Sequence, residues 1–164
     1  MSSKSAPYIQ HGWLVSPYSA KTRAYFCHKG VPFEERTPTV FRLATTIRRA
    51  VGRMIMPTVL TPQGTWLQDT SDIIDHVEAR SPARSVVPSG PRQRVASALL
   101  ELHGDEWWPT VIMHTRWNVA ANAQYAVDEF ARCGFPLLPR ALGRRLTRPM
   151  AQKMAGYRRV LGIT

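Results

Sequence analysis

Two serines three residues apart bracket a proline and a tyrosine in Ser16-Pro17-Tyr18-Ser19, where a strand-like run gives way to a helical one. Before them lies Tyr8-Ile9-Gln10-His11-Gly12-Trp13-Leu14-Val15; after them, Ala20 to Lys29 is good helix material that stops at Gly30. A strand that turns sharply into a helix leaves the first N–H groups of that helix unpaired, and the positive end of its dipole points at the turn. A serine there can cap the helix, or its turn can hold an anion such as a thiolate. On local sequence alone, capping is the expected role.

The elements that would position this turn can be read outward from it. After Gly30, Val31 to Thr37 reads as a second strand, with Pro32 at its tolerant start. Val40, Leu43, Ala44, Ile47 and Val51 then recur at helical spacing, which predicts a helix to Arg53, with Gly52 as its stop. Met54 to Gln68 contains two short strands around Pro62-Gln63-Gly64, a hairpin signal, and Pro57 stands at the start of the first. A helix is predicted from about Thr70 to Arg80, with Asp69, Thr70 and Ser71 as possible caps and Ile73, Ile74 and Val77 inward. The order β-α-β-α-β-β-α calls for a small mixed sheet covered by helices.

Residues 81–91 are rich in Pro and Ser and read as a linker. Beyond it the pattern is helical only. Val95, Leu99 and Leu102 share a face of a helix that is disturbed near Pro109; a second helical stretch covers about Asn118 to Arg132; and Leu137 to Leu161 reads as basic helix broken at Pro149.

Length and composition frame these elements. The 164 residues, 44% apolar and 20% charged, suit a globular chain with a real core. No run is long enough to span a bilayer, and the first five residues lack the apolar segment of a secretory signal. Cys27 and Cys133 make no metal or redox spacing and read as structural thiols in a reducing, cytoplasmic setting, with Cys27 in the core. The net charge of +11 is concentrated late: no acid follows Glu129, while eight Arg or Lys do. Such a field attracts anions, yet no nucleic-acid motif accompanies it, so nucleic acid is not an expected partner. His103 and His114, eleven apart, lack a third ligand, so no metal is expected. Trp107, Trp108 and Trp117 read first as packing residues and second as a pocket wall.

Three motifs fall in register: the strand–Ser16-Pro17-Tyr18-Ser19–helix unit, Met56-Pro57-Thr58-Val59-Leu60, and Leu67-Gln68-Asp69-Thr70. Together, over roughly Tyr8 to Glu78, they resemble the glutathione S-transferase family. The resemblance implies an α/β thioredoxin-like domain over residues 1–80, a linker over 81–91, and an all-α region over 92–164, incomplete relative to the family. It implies glutathione as co-substrate. Ser16 and Ser19 occupy the two positions at which serine or cysteine classes place the activating group, and the choice of serine stays open; Tyr18 between them is expected to contact glutathione, or else to pack. Pro57 matches the family's cis-proline, with the Met56 backbone offered to the cysteinyl unit; Asp69 and Thr70 match the pair that takes the γ-glutamyl end; Arg53 could meet the glycyl carboxylate. The turn is also similar to the Cys-Pro-Tyr-Cys of glutaredoxins, but two hydroxyls cannot form a disulfide, which excludes thiol–disulfide exchange through it.

The implied chemistry is ionisation of the glutathione thiol and its attack on an apolar electrophile in a detoxifying homodimer, with no membrane partner. The alternative is a non-catalytic module that keeps the fold for partner or anion binding.

Overall fold

The computed structural model describes residues 6–163; the first five residues, read above for the absence of a signal segment, lie outside them. The chain forms two compact units, Met1–Val86 and Val87–Thr164.

In the first unit β1 (Tyr8–His11) leads through a turn into α1 (Pro17–Lys29), and β2 (Phe33–Arg36) runs parallel to β1. Three short pieces follow: α2 (Val40–Arg42), a π-helical turn (Leu43–Ile47) and α3 (Arg48–Val51), where Gly52 at φ 81° ends the helical run. Then β3 (Thr58–Leu60), β4 (Trp66–Gln68) and α4 (Thr70–Glu78) complete the expected order. The sheet order is β2-β1-β3-β4, with β3 antiparallel to both β1 and β4. This is the thioredoxin-like α/β arrangement, followed by helices alone.

Strand alternation explains the layering. Tyr8 and Val59 join Tyr25 and Phe26 of α1 and Ile73 and Val77 of α4 in one buried cluster. Lys29 is also buried and is satisfied by Glu78: Nζ donates to Oε1 at 2.7 Å, while Tyr25 Oη donates at 2.8 Å and Ser85 Oγ at 2.6 Å to the same carboxylate. Burial alone would raise the Glu78 carboxyl, but these hydrogen bonds outweigh it and hold it at about 2.

The first strand is shorter than the predicted Tyr8–Val15. Trp13 leaves the ladder to bury its ring and donates Nε1–H to the Pro38 carbonyl at 2.7 Å, and Ser16 N closes a turn on the Trp13 carbonyl at 3.0 Å. Cys27 does not lie in the core: α1 buries Ser19, Thr22, Tyr25, Phe26 and Lys29, and the Cys27 thiol faces outward.

The second unit holds α5 (Pro91–Glu106), α6 (Trp108–Asn118), α7 (Ala120–Gly134) and α8 (Arg140–Val160). Trp107 separates α5 from α6, so Pro109 falls in the first turn of a new helix, where its missing N–H costs nothing. Helix α8 runs unbroken through Pro149, contrary to the predicted break. Pro149 and Arg145, whose carbonyl loses the helical donor, are both exposed, so water can take the donor's place. The core here is Ala126, Phe130, Ala131 and Cys133 of α7 with Ala151 of α8, and Trp117 meets Phe130 edge-on at 6.1 Å.

Candidate functional site

Register brings the three motifs of the first unit to one end of its sheet. His11, the last residue of β1, pairs with Thr58, the first of β3, and Thr58 pairs with Gln68, the last of β4. The turn that follows His11, the Met56-Pro57 step that precedes Thr58, and the Asp69-Thr70 step that follows Gln68 are therefore neighbours. Strand direction does this, since antiparallel partners start where their neighbours end.

At the turn, Ser16 caps α1: its Oγ accepts from Ser19 N at 3.2 Å, and its backbone is extended at φ −86° and ψ 117°. Pro17 supplies the first helical residue without a wasted donor. A hydroxyl that accepts the capping bond still carries a hydrogen to donate, and Ser16 is only half buried. Ser19 differs. It is fully buried, its Oγ has no partner among the described residues, and Gly12 passes so close that a Cβ there would lie 2.5 Å from that oxygen. Tyr18 is at the surface.

The Met56–Pro57 peptide is cis, with Pro57 buried and Met56 half buried. Asp69 is exposed and caps α4, its Oδ1 accepting from Ser71 N at 2.9 Å, and Thr70 beside it is buried. Asp69 sits at φ 76°, a region that L residues with a side chain rarely adopt and that costs about 1–3 kcal/mol. Arg53, exposed just beyond Gly52, belongs to the segment that leads to Met56 and is not tied to the other motifs by any strand pairing.

Two buried polar residues without a role in the sequence-based expectations lie on β1 beside these motifs. Gln10 is fully buried on the helix side of β1, where its Nε2 donates to the Ser19 carbonyl at 3.0 Å and to Glu35 Oε1 at 3.1 Å. Glu35 accepts two hydrogen bonds from the Arg23 guanidinium of α1, at 2.5 and 2.6 Å. This chain of contacts ties the first turn of α1 to β1 and β2. The signal was a polar residue alternating with Tyr8 on an inward face. The second group is His11, 1% exposed, stacked on Trp66 at 5.2 Å, with neither ring nitrogen hydrogen-bonded among the described residues. Burial, and then the charges of Arg42 and Arg36, lower it to about 4, so it is neutral at pH 7.

In the helical unit, His103 stacks on Trp107 at 6.3 Å and His114 Nδ1 meets Asn118 Nδ2 at 2.9 Å. Trp117 packs against Phe130, while Trp107 and Trp108 are exposed.

Residues 11–85 match the family described as glutathione S-transferase, N-terminal domain. A glutathione S-transferase from Methylobacterium radiotolerans, solved with glutathione sulfonate, superposes with a TM-score of 0.59 at 21% identity, covering 92% of this chain and 89% of that one. One from Methylobacillus flagellatus with glutathione bound gives 0.59 at 15% identity, over 76% of this chain and 65% of that one. The tau-class enzyme of mango, Mangifera indica, gives 0.59 at 17%, over 95% and 81%. No curated protein matches the chain. Likeness at these identities is likeness of fold. The class that the sheet and the matched residues define is a thioredoxin-like domain followed by helices. Residues 11–85 thus match the N-terminal domain of the glutathione S-transferase family, and a helical region follows them.

Proposed function

We propose that the first unit binds glutathione at the sheet end where the three motifs meet, and that Ser16 activates its thiol. The observation that carries this reading is the capping geometry of Ser16, whose Oγ is engaged as acceptor while its hydrogen remains to be donated at the positive end of α1. An ordinary thiol has a pKa of about 8.5, and a hydroxyl donor at a helix N-terminus lowers it. Ser19, sealed beneath Gly12, is assigned to packing. Met56 offers backbone groups to the cysteinyl unit and Asp69 a carboxylate to the γ-glutamyl ammonium, with Thr70 at the same helix N-terminus and Arg53 at the glycyl carboxylate. The glutathione sulfonate bound in one similar structure and the glutathione bound in another support the ligand.

The activity assigned is transfer of the thiolate to an apolar electrophile. The sulfur forms a bond to carbon, and the displaced group leaves with its electron pair or the adduct takes up a proton. Cytoplasmic residence fits the two free cysteines, and no helix among the described residues is long and apolar enough to cross a membrane. Detoxifying use and a homodimer complete the reading, the latter to be checked by light scattering.

Calorimetric titration with glutathione at neutral pH tests the site. Asp69→Ala should abolish or strongly weaken binding. Ser16→Ala should raise the bound thiol pKa, followed by its ultraviolet absorbance, while Ser19→Ala should leave it unmoved. Absence of heat in the parent chain, with no chemical-shift change at Met56 or Asp69, would sink this reading and leave the non-catalytic alternative. A raised thiol pKa in Ser19→Ala alone would move the role to Ser19.

A further inference from the structure

Helix α8 turns its small residues inward and its large apolar residues outward. Gly143, Thr147 and Ala151 are its buried positions, and a Cβ added to Gly143 would meet the Ala131 Cβ at 3.2 Å, so the helix lies hard against α7. Leu142, Leu146, Tyr157 and Val160 instead stay 43%, 47%, 50% and 82% exposed. With Pro149 and Lys153 between them they follow three- and four-residue steps, which is one stripe along a helix. Beside it runs a second stripe of exposed Arg145, Arg148 and Arg159, none of which makes an ion pair among the described residues. Since no acid follows Glu129, the chain supplies no neighbouring countercharge in sequence. The hydrophobic effect by itself would place the leucines where the glycine and threonine are.

We infer that the outward half of α8 docks on an anionic lipid surface. The apolar stripe would reach the boundary of the acyl chains, and the arginine stripe would meet the phosphates and acidic headgroups. Charge and apolarity together select this occupant. A nucleic acid would engage the arginines but leave the leucines in water, and a neutral protein surface would cover the leucines but leave the arginines uncompensated. The 21 residues extend roughly 30 Å, and they would lie along the surface rather than cross it. The expected absence of a membrane partner rested on the lack of a spanning run and does not bear on such peripheral contact.

The test is cosedimentation of the full chain with vesicles of phosphatidylcholine alone and with about one-third phosphatidylserine. Binding to the acidic vesicles only, lost as salt is raised, is the expected result. The Arg145→Glu, Arg148→Glu pair should weaken it at least about tenfold, since each cation near such a surface matters by itself. The Leu146→Gln, Val160→Gln pair should weaken it while helix content stays unchanged. Tyr157→Trp gives a second reading that does not rely on lost binding: its added fluorescence should be quenched by brominated lipid in acidic vesicles. Equal or no binding to the two vesicle types, or an unquenched Trp, overturns the inference. So does an apolar pair that binds acidic vesicles as the parent does, or displacement by a single-stranded oligonucleotide that the apolar pair binds equally well, which would assign the helix to nucleic acid.

Discussion

Among the described residues the first unit buries Gln10, His11, Ser19, Thr22, Lys29, Thr58, Thr61 and Thr70, whereas the polar residue that the helical unit buries is Thr147. The helical unit keeps most of its charges at the surface, as in the Arg144–Asp128 pair, with Arg116 and Glu129 half-buried, and seals its interior with alanine, phenylalanine and cysteine. Polar groups inside a protein are costly unless matched, so each one constrains the geometry around it. In the first unit those constraints accumulate around α1: Gln10 holds its first turn to β1, Glu35 holds Arg23, and Glu78 holds Lys29 at its other end. The helix whose N-terminus is proposed to meet glutathione is thus fixed by directional bonds. The helical unit has surface contacts and close packing of small residues in their place.

That contrast can be broken by substitution, and the largest effect is expected at Glu78. Glu78→Gln leaves the Lys29 ammonium buried without its countercharge, which should cost about 3–5 kcal/mol in urea unfolding. The matching change in the helical unit, Arg144→Ala, breaks an exposed pair with Asp128 and should cost at most about 1 kcal/mol. Equal losses would remove the distinction.

Next comes acid. His11 is held neutral, its folded value of about 4 lying below the ordinary 6.5, so the unfolded chain binds a proton first as pH falls. The stability tied to it is complete above about 6.5 and is lost between there and about 4, by roughly 3 kcal/mol at a slope of about 1.4 kcal/mol per unit. His76, also lowered, acts in the same direction. Glu78, held at about 2, begins to matter only below its ordinary 4.5, so its loss follows in a separate, lower window. Unfolding followed from pH 7 to pH 4 should therefore show a slope that His11→Gln flattens in part; an unchanged slope would clear His11 of the effect.

A smaller effect sharpens the picture at the turn. Gly12→Ala would press a methyl against Ser19 Oγ, 2.5 Å away, and should cost about 1–3 kcal/mol while weakening glutathione binding through the displaced turn. Gly143→Ala in the helical unit meets Ala131 at 3.2 Å but gains helix propensity, so its net change should stay within about 1 kcal/mol. Thermal melts of the two variants compare them directly.

Much of this was legible in the chain itself. Ser16 and Pro17 announce a helix start, Gly30 and Gly52 announce stops, and the sheet's strands are bounded by proline and glycine turns, because these residues act through local backbone geometry. The missed features are those in which distant groups compete. Trp13 ended β1 early by reaching the Pro38 carbonyl, and Pro149 was tolerated because it faces water. Cys27 looked like core until the neighbours of α1 decided which side faced inward.

What the sequence alone determined is therefore the order of elements in the first unit and the caps of α1, since propensity, periodicity and turn chemistry act over a few residues; the candidates Ser16, Tyr18, Ser19, Arg53, Met56, Pro57, Asp69 and Thr70 came from the resemblance to glutathione S-transferases, which left the choice of serine open. Only the tertiary structure decided that the three motifs lie at one end of the sheet, that Ser19 is sealed while Ser16 is not, and that Gln10 ties the first turn of α1 to β1. The physical reason is register: which residues become neighbours across strands, and which hydroxyl keeps access to water, follow from pairings between segments tens of residues apart that no local pattern encodes.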